Sequence, residues 1–103
     1  MDENKKAAPQ REAALKNILA RMPGNDSAMQ RVRMLMAQQE LGSVTTFEAM
    51  RYLDVFDPRP RIHELRKAGY AITTVMRAEE TESGVQHKVG VYFLSQATEV
   101  GTC

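Results

Sequence analysis

The chain has 103 residues, with 14 Lys and Arg against 13 Asp and Glu and a formal net charge of +1, a length that suits one small domain with tails. Its hydrophobic content of 43% supports a real core, and with no Trp and 6% aromatics that core must be aliphatic, filled in part by the 7 Met. No apolar run nears the ~20 residues of a membrane span, the start lacks a secretory apolar stretch, and the single Cys103 has no internal disulfide partner; these facts exclude a membrane protein, a disulfide scaffold and a large multidomain enzyme, and lead us to expect a cytoplasmic single domain.

Residues 1–9 are polar and charged apart from Ala7 and Ala8, and read as a disordered tail. From Gln10 a helical stripe begins, with Ala14, Leu15, Ile18, Leu19 and Met22 at three- and four-residue spacing. Pro23-Gly24 stops this N-terminal helix, which occupies 10–24. The stripe must be buried, either on the domain or against a second copy in a homodimer. Asn25-Asp26-Ser27 offers the cap of a second helix, expected from Ser27 to Glu40 with Gly42 as its left-handed C-terminal cap. Its inner face is expected to hold Ala28, Met29, Val32, Leu35, Met36 and Gln39, with Arg31, Arg33 and Gln38 outside.

Thr45-Thr46-Phe47-Glu48 is a capping box: Thr45 caps, and Glu48 reaches back to its N–H. A short helix from Thr46 to Leu53 follows, with Phe47, Met50 and Leu53 turned inward. Asp57-Pro58 is a second start signal, since Asp caps and Pro at the first helical position loses no hydrogen bond. That helix runs to Ala68 and stops at Gly69. Beyond it the period changes. Tyr70 to Ala78 is rich in β-branched residues, Glu79 to Gln86 reads as a turn, and His87 to Leu94 alternates, with Val89, Val91 and Phe93 on one face. Two such runs joined by a Gly-containing turn make an antiparallel hairpin. Residues 96–103 form a C-terminal tail.

The expected fold class is therefore α+β, a winged helix-turn-helix over residues 26–95 with a three-helix core, a β-hairpin wing and an extra N-terminal helix. On the helix at 58–68, Ile62 and Leu65 mark the buried side, while Arg59, His63, Arg66 and Lys67 fall in one arc of roughly 100°. Arg pairs bidentately with guanine in the major groove and Lys meets phosphates, so Arg59 and Arg66 are candidate base readers and Lys67 a phosphate contact. Arg61 and Glu64 lie outside the arc and are free to pair with neighbours. Thr45 and Thr46, at a helix N-terminus, and Arg77 and Lys88, at the strand bases, complete the candidate DNA contacts.

Val44 to Ala49 and Arg61 to Tyr70 resemble the start and the basic helix of a small winged helix-turn-helix domain family common in phage and prophage proteins. The likeness covers roughly residues 28–95 and is most specific over Arg61–Tyr70. It departs at Pro58-Arg59-Pro60, and in a final strand whose only charge is Lys88. The resemblance implies a winged-helix fold and a double-stranded DNA partner, in the manner of a phage-type transcriptional regulator.

Charge keeps an alternative open. Between Asp26 and Ser95 there are nine basic and nine acidic residues, and Glu79, Glu80 and Glu82 sit at the wing turn. Affinity for DNA comes largely from phosphate neutralisation, so a neutral domain must concentrate its cations on one face or serve as a winged-helix module for a protein partner. Catalysis is not expected. His63, His87 and Cys103 make no zinc set, no phosphate-cradling Gly loop or nucleophile elbow is present, and neither a metal nor another cofactor is called for.

Overall fold

A computed structural model describes residues 2–95 of the chain, with side chains from residue 9 onward; the expected tail at 96–103 lies outside the described residues. Four helices, α1 (Asp2–Arg21), α2 (Ser27–Leu41), α3 (Thr46–Tyr52) and α4 (Pro58–Lys67), pack with three strands, β1 (Ser43–Thr45), β2 (Ile72–Glu80) and β3 (Gln86–Leu94). The sheet is antiparallel in the order β1-β3-β2. This is the expected α+β winged helix-turn-helix. No described helix is long and apolar enough to cross a membrane.

The helix boundaries follow from local chemistry. Asp26 Oδ1 accepts from the Met29 N–H at 3.1 Å to open α2, and Gly42, at φ 86°, closes it by donating its N–H to the Gln38 carbonyl. The capping box of α3 forms in both directions: Glu48 N–H donates to Thr45 Oγ1 and Thr45 N–H to Glu48 Oε1, each at 3.0 Å. Asp57 caps α4, whose Pro58 is buried at its first position. Between α3 and α4 the chain turns at Asp54 in the left-handed region (φ 56°), which a short polar side chain tolerates, and Val55 drops into the core.

Helix α1 extends from Asp2, whereas periodicity predicts a start at Gln10; residues 2–8 carry no apolar stripe, so periodicity has nothing to register there. Leu15 and Ile18 are fully buried against the domain. Ala14, Leu19 and Met22 are partly covered, so much of the stripe is packed within one chain. Arg11 at the middle of the helix and Arg21 at its C-terminal end fasten it, to Glu48 at 2.8 Å and to Glu40 at 2.9 Å.

The inner face of α2 differs from the expected one. Arg33, Met34, Ala37 and Gln38 are buried, while Leu35 and Met36 only flank the core. Arg33 is the reason. Its Nε donates to the Leu53 carbonyl (2.7 Å) and its Nη1 to those of Met22 (2.7 Å) and Gly24 (2.8 Å), so the guanidinium satisfies carbonyls beyond the ends of α1 and α3 that no apolar side chain could. Burial lowers the Arg33 pKa from its ordinary value, and Asp54 and Asp26 offset part of that. Gln38 reaches back to the Met34 carbonyl at 3.0 Å.

Two further expectations change. Val44 is both the residue before the α3 cap and the centre of β1, opposite Tyr92. In β3, Tyr92 is buried at 5% exposure and Phe93 stands 39% exposed, reversing the assigned face at that end. Successive residues Val89 to Tyr92 are all buried, so both faces of β3 are covered there and alternation loses its meaning. Met50, expected inside, is 40% exposed, and Ala49 takes the buried place in α3.

Candidate nucleic-acid interface

Helix α4 is held by three buried side chains, Pro58, Ile62 and Leu65. On its α2 side, Glu64 accepts from Arg31 and Arg61, which pair with it at 3.0 and 2.9 Å. These contacts, Arg31 first, hold the Glu64 carboxyl below the usual carboxylate range. They also fix the rotation of the helix, leaving Arg59, His63, Arg66 and Lys67 exposed. The two cations of its last turn, Arg66 and Lys67, suit the negative end of the helix dipole.

The exposed cations are not equivalent. Arg59, 81% exposed in its side chain, rests its Nε on Asp57 Oδ1 at 3.1 Å, and this hydrogen bond lowers the Asp57 pKa and raises that of Arg59. Arg66 is tied to the wing: its Nε donates to the Ile72 carbonyl and its Nη2 to Thr74 Oγ1, both at 2.9 Å. Two of its donors are therefore occupied within the fold. His63 and Lys67 make no hydrogen bond or ion pair with any described residue.

Of the remaining candidates, Thr45 is 6% exposed with its hydroxyl used as the α3 cap. Thr46 is half-buried, its Oγ1 3.4 Å from the Gly90 carbonyl and 3.5 Å from the Tyr92 hydroxyl. Arg77 donates to Glu79 at 2.7 Å and lines a polar cleft with Arg11, Glu48 and Arg51. Lys88 is exposed and unpaired among the described residues.

Thr46, Arg59, Arg66 and Lys88 meet on the walls of one groove of about 520 Å³ between α3, α4 and the wing. Thr45 and Arg77 lie elsewhere, and His63 and Lys67 face outward from α4 beyond the groove walls. The groove also exposes Phe56 (83%), Met76 (59%) and Met50 (40%), an apolar lining that the spacing of the cations does not reveal. Its one available signal is Phe56, which falls outside the apolar stripes of both neighbouring helices. The hairpin beside it closes through Thr81 and Val85, with Gly84 at φ 87° in the turn and Glu80 and Glu82 exposed at the tip.

A family model described as a winged helix-turn-helix domain matches residues 29–97. No curated protein and no solved structure matches the chain. The match begins within α2, so α1 stands outside it.

Proposed function

The chain belongs to this winged helix-turn-helix family, and from that premise we propose that it binds double-stranded DNA with α4 in the major groove, as a phage- or prophage-type transcriptional regulator. The observation that carries the reading is the partition of charge around α4. Arg61 and Glu64 are drawn to α2, while Arg59, His63, Arg66 and Lys67 remain on the exposed side. Arg59 at the N-terminal end and Arg66 would read base edges, and His63 and Lys67 would meet bases and phosphates from the open face. Arg66 would do so with the donors left over from Ile72 and Thr74. Lys88, unpaired at the groove wall, and Arg77, by exchanging Glu79 for a phosphate, would hold the backbone. At Thr45 and Thr46 the contact would run through N–H groups rather than the engaged hydroxyls. The acidic tip at Glu80 and Glu82 would stay clear of the duplex.

The test is fluorescence anisotropy of a labelled mixed-sequence duplex at low and physiological salt. The expected result is non-specific binding with a dissociation constant of about 10⁻⁴ to 10⁻⁶ M that weakens steeply as salt rises. Flat anisotropy at both salts would sink the reading, because even a sequence-specific binder retains a non-specific baseline.

A further inference from the structure

The groove beside α4 combines two chemistries that a phosphate backbone does not need together. Its lining includes three cations, Arg59, Arg66 and Lys88, and one carboxylate, Asp57. Asp57 is already engaged by the side chain and the N–H of Arg59, and Lys88 makes no ion pair with any described residue. The same groove is also lined by Phe56 and Met76, more than half exposed. Phosphates would satisfy the cations and leave that apolar surface in water.

The floor is preformed. Ile62, Val89 and Tyr92 are buried beneath it, and Gly90 lets the Tyr92 ring and Thr46 close over the strand: a Cβ at Gly90 would stand 3.3 Å from both Thr46 Oγ1 and the Tyr92 hydroxyl. A concave, largely apolar site of this size with a few convergent polar groups matches the usual character of a small-molecule site. The second cleft contrasts with it, because its Arg11 and Arg77 are paired with Glu48 and Glu79.

We infer that this groove binds a small amphiphilic anion, an aliphatic or aromatic carboxylate whose body lies on Phe56 and Met76 and whose carboxylate meets Lys88. The apolar surface sets the body, the excess of cations sets the sign of the head group, and Lys88 is the donor with no ion-pair partner among the described residues. The inference stands on the groove alone and does not require DNA binding.

The experiment is an NMR titration of the full chain with decanoate, followed through backbone amide and methionine methyl signals, with acetate, decanol and decyltrimethylammonium as comparison probes. Decanoate below its micelle concentration should give saturable shifts at Met50, Met76, Lys88 and Gly90 with a dissociation constant below about 1 mM. Acetate lacks the body and decyltrimethylammonium has the wrong charge, so each should bind at least tenfold more weakly. Lys88→Glu, at an exposed position, should weaken decanoate at least fivefold and leave decanol unchanged. Met76→Ser should weaken both. Shifts scattered away from the groove, no saturable shift, or equal binding of decanoate and decyltrimethylammonium would overturn the assignment.

Discussion

Arg33 Nε donates to the Leu53 carbonyl at 2.7 Å, so a fully buried guanidinium on α2 closes the C-terminal end of α3. The same group holds the Met22 and Gly24 carbonyls after α1. One side chain therefore joins the N-terminal helix to the helix-turn-helix core.

Replacing it leaves carbonyls without a donor, and an unsatisfied buried polar group costs about 1–3 kcal/mol. Arg33→Met should destabilise the chain by at least about 3 kcal/mol in urea unfolding. Arg33→Lys should recover only part of the loss, because one ammonium cannot span three carbonyls. A Met variant within 0.5 kcal/mol of the parent, roughly the size of an ordinary surface substitution, would show that water replaces the guanidinium without penalty.

Acid should act through Glu48. Burial pushes its carboxyl up, but the hydrogen bonds from Arg11 and the Thr45 N–H, with the Arg11 charge, bring it below the ordinary value. A lowered folded-state pKa contributes stability that is complete above the ordinary carboxylate range and is lost as pH falls through the lowered value. Stability should therefore decline below about pH 4.3. Glu48→Gln keeps a capping-box residue but removes the charge. It should cost about 1 kcal/mol at pH 7 and flatten that decline, as read by thermal unfolding between pH 2 and 7. An unaltered slope in the variant would assign acid sensitivity to other carboxyls.

On α4, Arg66→Ala should cost about 1–3 kcal/mol of DNA affinity if the side chain reads a base, and Lys67→Ala should weaken all sequences alike and reduce the salt slope by about one. Thr74→Val removes only an acceptor of Arg66. Its effect separates wing fastening from base contact: a loss as large as that of Arg66→Ala means that Arg66 acts by holding the wing.

At the hairpin tip, Glu82→Lys adds two units of positive charge at an exposed position. If the tip stays clear of the duplex, anisotropy at physiological salt should give an unchanged affinity, since screening limits charge effects to about 8 Å. A several-fold tighter complex would place the tip at the phosphates.

Features written in one short stretch were legible in the sequence. The Thr45–Glu48 box, the Asp57-Pro58 start and the Gly42 cap each depend on residues a few positions apart, and each takes the expected form. The face of α2 was not legible, because hydropathy places Arg outside and only the distant Met22, Gly24 and Leu53 carbonyls make its burial favourable. Strand β1 was hidden by its length of three residues and by the double duty of Val44. At the candidate site, the cations on α4 could be found from helical spacing. The Asp57 partner of Arg59 is local, two residues away, whereas the Thr74 partner of Arg66 and the apolar groove wall contributed by Met76 depend on how the wing folds back over the helix.

The sheet order also dictates when this domain can exist during synthesis. Strand β3 holds β1 and β2 together, yet it is the last of the three to leave the ribosome. Until Val91 to Phe93 emerge, Ser43 to Thr45 have no strand to pair with, although β2 gains its first partners once Gln86 has emerged. A nascent chain stalled before β3 would carry helices with an open side, so closure must wait for contacts nearly fifty residues apart and follow the synthesis of β3.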